Sequence, residues 1–314
     1  MSSYAQNLTQ ASDLPVYLKL AAVTMIWGGT FVAGRFLADS LSPLFAASLR
    51  FSLASLALLL FVRLARVPLA RPSARQWRQL ALLGFFGIFF YNLCFFYGLR
   101  YINASRASLI VALNPAVIGL ASWLLFKERL SRGKVAGIVI CIAGAGWVIV
   151  SRNPQLLAAN TDAWMGDLLI FGCVLSWGVY SLFSKELNQT LGPVQTVTYS
   201  ILLGTAMLWV TGAIRGELSI EALVSLGPQQ WLSLLYLGVF GSALAYIGYY
   251  DGIRTIGATR SGVFIALNPL TAVILGALLL GEQLTMAMCL GGGLILVGIY
   301  LCNKPLAPTL KKGI

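Results

Sequence analysis

The residues that could do chemistry in this chain are few, and most of them sit inside long apolar stretches. Only 10% of the 314 residues are charged, and none is histidine. The five cysteines (Cys94, Cys141, Cys173, Cys289, Cys302) have no paired spacing and lie within or at the ends of apolar segments, so they read as small packing residues. Metal hydrolysis and Cys–His chemistry therefore have no parts here, and no catalytic residue, metal or cofactor is expected. What remains is recognition. Arg50 is the clear charge inside an apolar stretch. Burying it in a membrane costs at least about 2.5–3.5 kcal/mol, so it should face a partner or a cavity. There it could hold a carboxylate; alternatively it could snorkel outward or bind helix-end carbonyls.

Asn114-Pro115 and Asn268-Pro269 fall mid-stretch. A helical proline removes one backbone bond and clashes with the preceding turn, so each helix should kink and free a carbonyl. Freed carbonyls are tolerated in a bilayer only against protein or a water-filled cavity. Pro115 and Pro269 are thus candidate hinges, with passive kinks as the alternative. The neighbouring asparagines could satisfy the carbonyl or read a ligand. Trp27 and Trp177 lie at mid-depth beside glycine, while the other tryptophans lie toward stretch ends, where interfacial rings belong. A mid-depth indole suits a pocket wall where its N–H can find a partner; tight helix packing is the competing reading. Tyr91, Asn92 and Tyr246 are deep enough that leaving their groups unpaired would cost roughly 1–3 kcal/mol. The candidate substrate site is therefore Trp27, Arg50, Tyr91, Asn92, Asn114, Trp177, Tyr246 and Asn268. Glu128 and Glu282 end their stretches and are expected to be structural, as helix caps or ion-pair partners.

The elements that carry these residues are apolar runs of about 20 residues, the length that spans a hydrocarbon core. Ten are expected, near 16–37, 43–62, 77–98, 102–126, 132–151, 164–184, 193–213, 229–250, 256–280 and 286–302. The net charge of +12 is distributed by topology. With the N-terminus inside, sixteen Lys and Arg residues fall on the inner side and five (Arg35, Arg100, Arg106, Arg152, Arg215) on the outer. That asymmetry follows the positive-inside rule and puts both termini in the cytoplasm. It leaves no basic groove for nucleic acid. Residues 1–15 show no cleavable signal pattern, so the first span is expected to be retained.

Residues 98–144 align without a gap on 252–298. GLRYINASRASLIVALNP faces GIRTIGATRSGVFIALNP with nine identities in eighteen positions, including Arg100/Arg254, Arg106/Arg260 and Asn114-Pro115/Asn268-Pro269. Glu128/Glu282 and Gly137/Gly291 follow, and Trp27-Gly28 matches Trp177-Gly178. The expected units are residues 1–153 and 160–304, with a short basic tail at 305–314. Five spans per unit is odd, so the second unit must enter the membrane inverted. The expected fold is all-α, ten spans as two inverted five-helix repeats, an architecture suited to alternating access. A channel, an intramembrane enzyme or a structural or receptor subunit are the rivals.

Trp27-Gly28-Gly29 with Phe31, Pro43…Arg50-Phe51, Asn114-Pro115…Glu128-Arg129-Leu130 and Asn268-Pro269…Gly281-Glu282 together resemble the drug/metabolite transporter superfamily, specifically its EamA-type permeases, over nearly the whole chain. The resemblance implies a bacterial inner-membrane permease with a central cavity, commonly exporting amino acids or other small metabolites. Among substrates, the absence of a mid-span Asp or Glu speaks against cationic drugs. A single buried cation speaks against multiply charged phosphates. A zwitterion or mono-carboxylate fits best, an amino acid with a sizeable apolar side chain first. Small-molecule substrate and lipid are the expected partners. Glycines of the fifth and tenth spans would serve close helix packing, and could also serve a homodimer face.

Overall fold

The structure is a computed structural model and describes residues 13–38, 40–102, 104–128, 130–152, 163–271, 274 and 285–304. Glu282, Arg129 and the basic tail lie outside them. Every regular element among the described residues is helical: α1 Leu14–Ala38, α2 Pro43–Leu64, α3 Ala74–Tyr101, α4 Ala104–Val111, α5 Asn114–Phe126, α6 Arg132–Arg152, α7 Ala163–Thr190, α8 Pro193–Ile214, the short α9 Ile220–Val224, α10 Pro228–Ile256, α11 Ala258–Gly262 and α12 Met286–Asn303. Local sequence sets the starts. Ser42 accepts from the Phe45 amide with Pro43 in the first turn, Ser73 and Gln76 form a reciprocal capping box, and Thr285 caps Met288. Gly257, at φ +87°, makes the tight turn from α10 to α11.

Eight of the helical stretches are long and apolar enough to cross a membrane: Pro43–Leu64, Ala74–Tyr101, Leu109–Phe126, Arg132–Ser151, Ala163–Thr190, Pro193–Ile214, Pro228–Ile256 and Met286–Asn303. The two further spans expected from sequence are α1, a 25-residue helix, and the ninth, described only in its first half. Both spans depart from regular α-helix just before the proline. The fourth span breaks between α4 and α5, directly before Asn114-Pro115, and the ninth tightens into a 3-10 turn, Val263–Ala266, just before Asn268-Pro269.

Two helices carry a feature no periodicity announced. α3 is π-helical over Phe85–Phe90 and α10 over Tyr236–Leu244. Glycines at these segments let the two halves of the chain interlock. A Cβ on Gly84 would lie 2.8 Å from the Ser200 carbonyl oxygen, and one on Gly238 would lie 2.8 Å from that of Arg50. Ser200 and Arg50 are repeat mates, so α3 packs on α8 as α10 packs on α2. Gly87 and Gly241 repeat the reciprocity against Tyr180 and Thr30. Likewise α6 and α12 meet through Gly137 against Gly298 and Gly144 against Gly291. These glycines are therefore occupied within the chain.

Ion pairs tie the halves together at the end where α5 finishes. Lys19 pairs with Asp251, Arg75 with Glu186 at 3.1 Å, Lys185 with Glu128 at 3.3 Å, and Arg260 with Asp13 at 2.9 Å. Glu128 thus takes the structural role expected of it, held also by the Ser122 hydroxyl at 2.6 Å. At the opposite end Glu217 accepts from Tyr97 and Arg215, both at 2.8 Å, and its carbonyl accepts from Ser42.

Candidate functional site

Seven of the eight candidate residues converge at the middle of the bundle. Trp27, Arg50, Tyr91, Asn114, Trp177, Tyr246 and Asn268 line one cavity, contributed by both halves of the chain. Thr30, Phe95, Val111 and Ile265 complete the wall. The repeat mates Trp27 and Trp177 meet edge to face with ring centroids 5.2 Å apart, and Tyr246 closes the cluster 5.4 Å from Trp177. Tyr91 lies 5.7 Å from Trp177 on the other side. The cavity measures about 50 Å³. Such a space holds a few waters but falls well short of the roughly 300–1,000 Å³ of small-molecule sites. In this conformation the cavity is too small for a metabolite.

The π-helical segments position the polar lining. Their irregular hydrogen bonding offers carbonyls to side chains from the other half. The Trp27 indole donates to the Gly241 carbonyl at 2.9 Å, and the Ser176 hydroxyl donates to that of Phe86 at 2.5 Å. Ser242 also sits in the π segment, bonds back to the Leu237 carbonyl at 2.9 Å, and accepts from Arg50 Nε at 2.9 Å. Arg50 is 6% exposed and lies 5.1 Å over the Phe51 ring. Among the described residues it forms no ion pair. A buried guanidinium held by one neutral hydroxyl and one ring retains most of its capacity to bind an anion.

The broken fourth span gives Asn114 one of its two expected roles, satisfying a freed carbonyl. Pro115 frees the carbonyl of Val111, and Asn114 Nδ2 donates to it at 2.9 Å. Because the amide nitrogen must face that carbonyl, Oδ1 faces away from it, and this buried oxygen has no partner among the described residues. Asn268 Oδ1 is buried and unpaired as well. The Trp177 indole N–H has the Tyr249 hydroxyl beside it but not in hydrogen-bonding geometry. One cavity therefore gathers a cation, a free indole donor and two orphaned amide acceptors. Buried polar atoms without partners are rare enough in folded proteins that three around one cavity need an explanation.

Asn92 stands apart. It is 1% exposed, donates to the Ile88 carbonyl at 2.6 Å, and is not part of the cavity wall. Adjacent residues on a helix point about 100° apart, so with Tyr91 facing inward Asn92 turns to the π segment behind it. The missed lining residues carried weak but readable signals. Thr30 is three residues after Trp27, and Val111 and Ile265 are repeat mates three residues before each asparagine, the spacing that shares a helix face.

A model of the EamA-like transporter family matches residues 14–150 and 164–304. An uncharacterized transporter of Archaeoglobus fulgidus is 29% identical over 290 residues, covering 91% of this chain and 97% of that one. Another uncharacterized transporter, from Bacillus subtilis, is 26% identical, with 92% and 94% covered. A protein of Streptantibioticus cattleyicolor named a probable terminal-alkyne amino-acid exporter is 25% identical, with 91% and 92% covered. A solved crystal structure superposes with a TM-score of 0.76 at 21% identity over 91% of this chain and 95% of that one, which shows a shared fold.

Proposed function

The chain belongs to the EamA-like transporter family, and from that premise we propose that it exports small zwitterionic metabolites, amino acids with apolar side chains first, by alternating access around the central cavity. It is a multi-pass membrane protein; the ten-span inverted layout, the bacterial plasma membrane and cytoplasmic termini are part of the same reading, supported by the repeat and by the charge asymmetry.

The observation that carries the substrate class is the polarity of the cavity wall. Arg50 suits a carboxylate. The orphaned Oδ1 atoms of Asn114 and Asn268 can only accept, so they suit an ammonium, which is donor only. Aromatic faces of Trp27, Trp177 and Tyr246 suit an apolar side chain. An α-amino acid presents all three at once. The cavity must dilate to admit it, and the interrupted fourth and ninth spans, each broken beside a cavity-lining asparagine, are where that motion belongs. Export as the direction draws on the name carried by the Streptantibioticus relative.

Counterflow in proteoliposomes tests this. Vesicles loaded with unlabelled leucine and diluted into labelled leucine should accumulate label transiently and saturably. Uptake that is linear in concentration, or an unchanged time course with empty vesicles, would remove the amino-acid carrier.

A further inference from the structure

A second cavity, about 380 Å³, opens where α5 ends and α10 turns into α11. Its size lies within the small-molecule range that the central cavity does not reach. Around it stand Lys134, Lys185, Arg254 and Arg260, with Glu128 as the one acidic lining residue. Two of these cations are already matched: Lys185 by Glu128 at 3.3 Å, and Arg260 by Asp13 at 2.9 Å. Lys134 and Arg254 make no ion pair among the described residues. Thr259, 3% exposed, lines the same wall. Two cations without an ion pair, on one open and strongly basic wall, form an anion-binding set.

Its place in the fold ties it to the central site. Thr259 and Asn268 belong to the same span, nine residues apart, hence roughly 14 Å along the helix. Between them the packing is tight: a Cβ on Gly262 would lie 2.8 Å from Ile118, and one on Gly178 would lie 3.3 Å from Val117. The basic cavity is thus one seal away from the central one, at the end that the charge asymmetry assigns to the cytoplasm.

We infer, resting on the transport function proposed for the central cavity, that this vestibule is a separate loading site that takes the carboxylate of the solute on Lys134 and Arg254 before the seal opens. A carboxylate fits because its two oxygens can each accept from one of the two cations.

The test is equilibrium dialysis of the full-length protein in detergent with labelled isovalerate, which has the leucine side chain and carboxylate without the ammonium. Arg50→Gln protein should still bind isovalerate, one per chain. Adding Lys134→Gln and Arg254→Gln to it should weaken that binding about tenfold or more, while isopentylamine, which lacks the carboxylate, should not displace isovalerate from the vestibule of the Arg50→Gln protein. The Lys134→Gln/Arg254→Gln protein with Arg50 intact should keep its unfolding midpoint and its central leucine site, which separates loss of the vestibule from misfolding. If Arg50→Gln alone abolishes isovalerate binding, or if the two vestibule substitutions leave it unchanged, the vestibule is no site for this solute. The vestibule is likewise no solute site if isovalerate is displaced from wild-type protein in phosphatidylglycerol nanodiscs but not by inorganic phosphate in detergent, because the occupant is then a lipid headgroup. These outcomes do not depend on counterflow. Absence of leucine exchange with intact isovalerate binding would sink the transport reading and leave the anion site standing.

Discussion

Arg50 and the two asparagines share one physical property: each has hydrogen-bonding capacity that the protein around it does not use up. For Arg50 the Ser242 hydroxyl takes only Nε. A charge-assisted hydrogen bond contributes about 1.5–3 kcal/mol, so Arg50→Gln should weaken zwitterion binding roughly 10–100-fold, read as the half-saturation concentration in counterflow with expression unchanged. At this scale the sequence was informative where a residue was chemically out of place. A cation, an indole and an Asn-Pro pair at mid-depth each needed a reason, and the cavity supplies it. It was uninformative where side-chain direction decides. Tyr91 and Asn92 were equally deep, and which faces inward depends on how the π segment before them rotates the helix. That rotation also explains an asymmetry between the halves: Tyr246 lines the cavity, yet by the ungapped alignment its mate is Asn92, not Tyr91.

The elements divide into those written in the sequence and those that only packing reveals. Proline positions announced both breaks, because the missing N–H and the clash with the preceding turn are local. Pro115→Ala restores an N–H that can reach the Val111 carbonyl, so a straighter fourth span is expected. Exchange rate in counterflow should fall several-fold while equilibrium leucine affinity stays near wild type; equal loss of both would mark Pro115 as a passive kink. The π segments had no such local cause. Their only trace was glycine at 84, 87, 238 and 241, and glycine in an apolar run has many explanations. Position-specific substitutions separate these roles. Gly238→Ala puts a methyl 2.7 Å from Leu53 Cβ and 2.8 Å from the Arg50 carbonyl oxygen, and should cost about 1–3 kcal/mol. Gly293→Ala meets nothing within 4 Å and should be neutral or gain up to about 1 kcal/mol. Thermal unfolding of both variants in detergent is the comparison.

Across the whole molecule, the charge distribution and the repeat foretold a two-part helical bundle, but not how its ends are fastened. Glu128 shows what was hidden: its partner Lys185 comes from the other half, 57 residues on. Burial pushes the Glu128 carboxyl up, but the Ser122 hydroxyl and the Lys185 and Lys134 ammonium groups outweigh it and hold it below the usual carboxylate range. A depressed folded-state value stabilises the fold above the unfolded value of about 4.3, and that contribution is lost as pH falls through the folded value. The unfolding midpoint should therefore drop on acidification below about pH 5, and Glu128→Gln should flatten the part of that drop it causes. A Glu128→Gln profile parallel to wild type would assign the acid sensitivity elsewhere.

The reciprocal glycine contacts also set a timetable for biogenesis. α3 docks on α8, so the first half leaves the ribosome with the face around Gly84 bare, and it stays so until 113 further residues, Tyr101 to Ile214, have been made. At about 5–20 residues per second that is a wait of roughly 6–23 s in the bilayer. During it a quality-control protease would meet an unpaired half with a cleft where its partner belongs. Residues 1–155 expressed alone should be degraded, and co-expression with residues 156–314 should rescue them, measured as the half-life of an epitope on the first fragment in a pulse–chase. Equal half-lives with and without the second fragment would mean that the first half completes its fold unaided.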